Sequence, residues 1–418
     1  MTNACCDQSQ KNTLKNLDDA ITELQVTTST ASDTKPTDTE VIHLSEALNR
    51  VLSKDIHSSI NVPPADNSAV DGYALNLDDY DANSELLISQ RIPAGSVPQP
   101  LAKNTAARIF TGAHIPDGAN CVVMQENTTL STDKKNILIS EAPTLNQNIR
   151  PMGQDIKVGD CILSKGDVLT PQRLGLVASI GIAEIEVFKP LTVAILSTGD
   201  ELVEPGTPVN EGQIYNSNRY LLNGFLKSLH FNILDIGVVP DNLESTLSAL
   251  RNASSKADVI ITTGGASVGE EDYVQTAISK LGKVDFWKVA IKPGKPVMLG
   301  NINSTPVLGL PGNPGAVFVT FMILARPFLL HKQGLTNTQS KAYPLAINFD
   351  VKKAGIRREF LRVIRKDNAL ELHSNQSSGM LSSASWAEGL AIIKEGTAPK
   401  KGDLVDFLAF DSLLNVNN

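Results

Sequence analysis

Residues that mark a metal finger or a secreted scaffold are scarce in this sequence. Only four cysteines occur in 418 residues, Cys5, Cys6, Cys121 and Cys161, two of them adjacent in a polar tail. Their spacing fits neither a zinc finger nor a disulfide framework, so a reducing compartment is expected. The six histidines show no HxH or HExxH arrangement, which removes the zinc hydrolases. A Walker loop and a GxGxxG fingerprint are both missing, and with them the main support for a nucleotide triphosphatase or a dehydrogenase. The longest mostly apolar run, 315–325, falls short of a membrane span and ends in Arg326-Pro327, and the N-terminus MTNACCDQSQKN has no apolar signal core. Basic residues are not in excess: 37 stand against 45 acidic ones, which argues against nonspecific binding to nucleic acid or an anionic membrane. A soluble cytoplasmic protein with no nucleic-acid or membrane partner is expected, and any anion site must be local.

What is present divides the chain into stretches. A length of 418 residues exceeds one ordinary core and suggests three or four domains. Leu14, Leu17, Ala20, Ile21 and Leu24 fall at helical spacing before a Thr/Ser/Asp/Pro-rich break at 27–39. From 58 to 158 Pro, Gly, Asn and Asp surround short apolar runs such as 107–110 and 121–124, which predicts a β-rich module. Residues 171–187 read as a helix followed by a strand, as if the chain returned to complete its first domain. Between 191 and 330, strand-like runs at 193–196, 233–239, 259–263 and 307–310 alternate with helix-like ones at 219–229, 243–254 and 316–329. That alternation predicts a doubly wound parallel sheet. Apolar alternations at 345–351, 360–364, 390–393 and 404–408 predict a small terminal β domain. The expected boundaries are 1–57 with 159–189 for a discontinuous domain, with 1–12 as a flexible tail; 58–158 β-rich; 190–334 α/β; and 341–418 terminal.

Three glycine-bearing turns each follow a predicted strand: Ser197-Thr198-Gly199-Asp200-Glu201, Thr262-Thr263-Gly264-Gly265-Ala266-Ser267, and Gly309-Leu310-Pro311-Gly312-Asn313-Pro314. At the carboxyl ends of parallel strands, glycine lets backbone N–H groups approach an anion, so three such turns predict one shared pocket. Any one of them alone would more often shape a loop or cap a helix. Glu201, Asp241 and Asp272 lie near these turns and are candidates to hold a hard divalent cation. Lys288, Lys292 and Lys295 in FWKVAIKPGKP are candidates to attract an anion. The plainer alternative has Asp241 capping the helix that starts near Leu243 and the lysines forming a solvated edge.

The motifs DNSAVDGYA (66–74), IFTGAHIPDGA (109–119), VVMQE (122–126), NIRPMGQDI (148–156), STGDEL (197–202), GQIYNSN (212–218), TTGGASVGEEDY (262–273), FWKVAIKPGKP (286–296) and GLPGNP (309–314) together resemble the molybdopterin molybdenumtransferase family, to which the enzyme domain of gephyrin is related. The resemblance runs from about residue 14 almost to the C-terminus. It implies an elongated four-domain homodimer: a discontinuous extended domain, a β-rich domain, a molybdopterin-binding α/β domain and a terminal β-barrel-like domain. It further implies an active site between the α/β domain and the β-rich and terminal domains of the second subunit.

The implied reaction inserts molybdate into adenylylated molybdopterin and releases AMP, assisted by a divalent cation such as Mg²⁺. In that reading Glu201, Asp241 and Asp272 place the cation and pyrophosphate. Ser197, Thr198, Gly199, Gly264, Gly265, Ser267, Pro311, Gly312, Asn313 and Pro314 cradle the pterin nucleotide, with Lys295 beside them. Lys288 and Lys292 attract molybdate. Asp71, Thr111, Arg150 and Asp155 complete the site from the β-rich domain, while Arg362 and Ser378 reach an oxyanion from the terminal one. Further partners implied are the adenylyltransferase that supplies the pterin and the molybdoenzymes that accept the product. Ala266, Gln154 and Gly315 depart from the pattern, and none removes an expected ligand. Two other readings remain: an adenylyltransferase acting on free molybdopterin, which the β-rich and terminal modules oppose, and a gephyrin-like scaffold, which would need an appended partner domain and a long linker.

Overall fold

A computed structural model describes residues 14–29, 38–82, 84–264 and 273–416, with the side chains of 26–29, 286 and 287 excepted. The expected tail at 1–12 and the candidate residues Gly265, Ser267 and Asp272, with Ala266, lie outside the described residues. The described residues form two compact units: those within 1–54, 165–170 and 185–418 make one, and those within 55–164 and 171–184 make the other.

In the first unit, helix α1 (Leu17–Ser29) buries Leu17, Ala20 and Leu24, one helical stripe. The central sheet comprises β1 (Thr192–Thr198), β2 (Asn232–Val239), β3 (Val259–Thr263), β4 (Gly282–Lys288), β5 (Pro296–Ile302) and β6 (Thr305–Leu310), in the order β2-β1-β3-β6-β5-β4. Side chains alternate between faces with period two. Val193, Ile195, Val259 and Ile261 join one core, while Ala194, Leu196 and Ile260 join another. Both faces are thus covered, which explains the unbroken apolar runs of these strands. The first face packs on α1, α2 (Ser217–Ser228), α5 (Pro314–Thr320) and α6 (Arg326–Lys332); the second packs on α3 (Leu243–Lys256) and α4 (Tyr273–Leu281). The neighbours of β1 and β3 are parallel, as the alternation predicted, whereas β5 runs antiparallel to both β6 and β4. The β5–β6 connection is a hairpin turn around Asn303, whose φ of 48° is the left-handed value a tight reversal needs.

The apolar run at 315–325 does not stop at Arg326-Pro327. A π-helical turn, Phe321–Ala325, joins α5 to α6, giving a 19-residue helical stretch from Pro314 to Lys332 that is apolar enough by length and composition to cross a membrane. Every residue from Gly315 to Leu330 is buried in this unit, the signature of a core helix. Pro327 lies inside this continuous stretch directly after the π-turn, the kind of local irregularity that accommodates a helix residue without an N–H. The Arg326 guanidinium is buried, which pulls its pKa down to about 10, and it donates to the carbonyls of Thr338, Ser412 and Asn415.

The terminal strands are β7 (Tyr343–Ile347), β8 (Arg358–Lys366), β9 (Ala369–Leu372), β10 (Gly389–Ile393) and β11 (Leu404–Ala409). They pair as β8-β9-β7-β11-β10 and back to β8, a closed five-stranded barrel around Ile347, Leu361, Val363, Leu370 and Phe407. One further two-residue strand, Ile291–Lys292, lies parallel to β8 with Ile291 opposite Arg358 and Lys292 opposite Glu359.

The second unit is built on a six-stranded sheet, in the order Cys121–Met124, Gly72–Leu75, Thr105–Ile109, Leu86–Ile92, Asn136–Ile139 and Thr128–Leu130. Its two faces bury separate cores, one around Tyr73, Leu75 and Ile137 and one around Ala74, Ile92 and Ile109. Two short antiparallel ladders accompany it, Asn67–Ser68 with Ile149–Arg150 and Ile56–His57 with Cys161–Leu163.

Candidate functional site

The carboxyl ends of β1, β3 and β6 converge on a pocket of about 660 Å³ in the first unit. Thr198, Glu201, Gly264, Pro311, Gly312, Asn313 and Pro314 line it, so all three glycine turns meet there, as expected from strand polarity. Below the floor, Ser197 is buried, its hydroxyl 3.0 Å from that of Thr263. Gly264 holds φ +83°, and a Cβ there would stand 2.6 Å from the Thr198 carbonyl; Gly199, at φ +147°, would meet the Glu201 carboxylate at a similar distance. These glycines let the turns nest, which side chains would forbid.

Two residues named in GQIYNSN but given no role shape the same wall. Asn216 caps α2, accepting the Arg219 N–H, and the Asn218 amide donates to the Gly312 carbonyl at 2.7 Å. Asn218 Oδ1 is buried with no partner among the described residues, an acceptor left for a ligand donor. An Asn between a strand and a helix is a capping signal legible in sequence at Asn216, whereas no local pattern singles out Asn218.

The opposite wall comes from the barrel of this same chain: Arg357, Glu359, Arg362, Gln376, Ser377 and Ser378. This corrects the expectation that a second subunit's terminal domain supplies it. The physical reason is the Ile291–Lys292 strand, which fastens the lysine-rich segment to β8; the Arg358 N–H also donates to Ala290 O. Arg362 is 1% exposed, and its Nε and Nη2 donate to Ser383 Oγ at 3.1 Å and Ser377 O at 3.0 Å. Burial holds its guanidinium below the usual arginine range, with Glu359 opposing that shift. Asn313 donates to Ser378 Oγ at 3.1 Å. Gly315 explains its departure from the family pattern, since a Cβ there would come within 2.8 Å of the Ser378 carbonyl.

The charged candidates separate. Glu201, Lys292 and Lys295 line the pocket, whereas Lys288 and Asp241 do not. Lys292 makes an ion pair with Glu359 at 2.7 Å. Asp241 N–H donates to Asp200, and the cap of α3 is Asn242, so Asp241 fills neither the pocket nor the capping position. Among the described residues, Glu201 and Asp241 form no three-ligand metal cluster. Glu201 nevertheless lines the pocket and offers a carboxylate, the kind of oxygen donor that Mg²⁺ takes alongside substrate phosphate.

In the second unit, the Thr111 N–H and hydroxyl donate to Asp71 Oδ1 at 2.8 and 2.9 Å. The backbone donor, then the hydroxyl, holds this carboxyl below the ordinary aspartate range, and Arg108 adds attraction. Arg150 lies on a strand paired with Asn67–Ser68, and Asp155 donates its N–H to Val62 O; both are exposed.

A doubly wound α/β layer with a barrel-walled pocket at its strand ends defines a class of fold, and sequence comparison gives it a family. Residues 15–181 match the MoeA N-terminal region (domain I and II), 194–331 a probable molybdopterin binding domain, and 345–410 the MoeA C-terminal region (domain IV). The molybdopterin molybdenumtransferase of Haemophilus influenzae is 44% identical over 81% of this chain and 85% of its own length. That of a Nostoc species is 33% identical over 86% of each chain. The crystal structure of the molybdopterin biosynthesis MoeA protein from Pyrococcus horikoshii superposes with a TM-score of 0.80 at 30% identity, covering 95% of this chain and 99% of that one. The chain belongs to the MoeA family of molybdopterin molybdenumtransferases.

Proposed function

We propose that the pocket binds adenylylated molybdopterin and molybdate, and that the chain inserts the metal oxyanion into the pterin dithiolene with release of AMP. The observation that carries this is the meeting, in one cavity, of three glycine turns with Arg362, Lys292 and Lys295. Backbone N–H groups at the turns suit a pyrophosphate, and fixed cations suit an incoming oxyanion. Arg362 is oriented by Ser377 and Ser383 before any ligand arrives, so little reorganisation is needed when charge shifts toward the leaving AMP. Lys292, restrained by Glu359, keeps a cation at the mouth without collapsing onto the phosphates. Ser197 and Thr263 hold the floor, and Asn218 Oδ1 accepts from a donor such as a pterin ring N–H. Glu201 would hold Mg²⁺ together with substrate oxygens, and that ion would neutralise phosphoanhydride charge.

In this reading the chain works in the cytoplasm as a homodimer, with Asp71, Thr111, Arg150 and Asp155 of the β-rich unit completing the site of the other subunit. The adenylyltransferase delivers the substrate and molybdoenzymes take the product. The test is turnover of purified protein with adenylylated molybdopterin, molybdate and Mg²⁺, reading AMP release and reconstitution of a cofactor-free molybdoenzyme. Both signals are expected. Consumption of ATP with free molybdopterin and no AMP release from the adenylylated substrate would replace the reading with an adenylyltransferase.

A further inference from the structure

Away from the pocket, the second unit brings together three side chains of different donor chemistry. Asp55, His57 and Cys161 offer a carboxylate oxygen, an imidazole nitrogen and a thiol sulfur, all within 4.8 Å of one another. The arrangement follows from strand geometry. Asp55 and His57 are two residues apart and so share a face, and the ladder sets Cys161 directly opposite His57. The short ladder is extended by Ser58 N–H donating to Asp160 O and Gly159 N–H donating to Ser58 O, which fixes the register. His57 Nδ1 lies 3.3 Å from the Gly159 carbonyl. A proton on Nδ1 donated to that carbonyl leaves the Nε2 lone pair for a ligand, the outer-sphere support that metal-binding histidines commonly have.

We infer that Asp55, His57 and Cys161 form a binding site for a Zn²⁺-class divalent cation. A nitrogen, a sulfur and an oxygen donor match the borderline-soft preference of zinc and disfavour Mg²⁺ or Ca²⁺, which take oxygen. Three protein ligands leave one position for water. Tetrahedral bond lengths put ligand atoms roughly 3.3–3.8 Å apart, so the three side chains need only a small rotamer adjustment, which their exposure permits. Binding forms a Cys161 sulfur–metal bond and releases the thiol proton to solvent. The ion would cross-link the strand at which the chain enters this unit to the one at which it first leaves, closing a loop of about a hundred residues and stabilising the unit against unfolding.

The experiment uses the full chain with Cys5→Ser and Cys6→Ser, so that the N-terminal thiols do not compete, stripped with EDTA and titrated with Co²⁺ and then Zn²⁺. The expected result is one Co²⁺ per chain with a thiolate-to-cobalt band in the near ultraviolet, displaced by equimolar Zn²⁺. Cys161→Ser abolishes the band, and His57→Ala and Asp55→Asn each weaken Co²⁺ affinity at least about tenfold. Zn²⁺ raises the thermal transition of the parent and leaves that of Cys161→Ser unmoved. Absence of the thiolate band, or its survival in Cys161→Ser, overturns the site.

Discussion

Gly264→Ala tests whether the pocket depends on the close nesting of its glycine turns. The new methyl would stand 2.6 Å from the Thr198 carbonyl, at φ +83°. Thr198 ends β1, whose ladder to β2 reaches that residue, so its carbonyl cannot give way cheaply. Two costs add. An L-residue at this φ loses about 1–2 kcal/mol, and overpacking against fixed backbone adds about 1–3 kcal/mol. Gly237 isolates the first cost: it lies on β2 of the same sheet at φ +86°, with nothing within 4 Å of an added Cβ. Gly237→Ala should therefore lose only the conformational part, about 1 kcal/mol once the stiffer unfolded chain is counted. Urea unfolding of the two variants beside the parent reads the difference, and AMP release reads the pocket. Gly264→Ala should be less stable than Gly237→Ala by at least about 1 kcal/mol, with turnover lowered on the order of a hundredfold because the turns are displaced. Equal stability and equal turnover in the two variants would refute the reasoning.

Arg362→Met keeps an unbranched side chain in a buried slot but removes the donors to Ser377 and Ser383. It should lower kcat for AMP release about tenfold to a hundredfold, with a smaller change in KM, and Arg362→Lys should fall between; an unchanged kcat would remove Arg362 from that role. Thr111→Val deletes the hydroxyl donor to Asp71 and keeps the N–H, so the Asp71 pKa should rise partway toward its ordinary 3.8. A depressed carboxyl contributes stability that is complete above that ordinary value and lost as the pH falls through the folded one, so in Thr111→Val the loss begins at the same pH but is smaller and ends at a higher one. Carboxyl NMR titration reads it, and an unmoved Asp71 would show that the hydroxyl is irrelevant.

Much of the α/β layer was legible because its strands are buried on both faces and carry unbroken apolar runs. The run at 259–263 coincides with the observed strand, and those at 193–196 and 307–310 lie within observed ones. β4 was not legible: GKVDFWK mixes charge and apolar residues, and its position is set by pairing with β5. The terminal strand β9 was also missed, being four residues long and closed into the ring by neighbours distant in sequence. At the pocket, the glycine turns announced themselves, whereas Glu359 and Gln376 reach it through barrel closure and register, which no local pattern encodes. Lys288 and Asp241 illustrate the converse. Nearness in sequence to a turn does not aim a side chain into the cavity, because strand alternation and loop path decide that. The same limit hid Asp55, His57 and Cys161, whose spacing along the chain matches no motif and whose contact depends on one ladder register.

The strand Ile291–Lys292 is hydrogen-bonded to the barrel yet covalently continuous with β5 of the central sheet through a three-residue link, Pro293 to Lys295. Mechanically, the two walls of the pocket are stitched together at one side, so its gape is set by folding. A ligand too wide for it cannot be admitted by swinging the barrel outward without breaking that ladder and freeing Lys292 from Glu359. Size discrimination in this chain would then operate before binding, as a fixed gauge, and variants that weaken the stitch should broaden the range of nucleotides admitted.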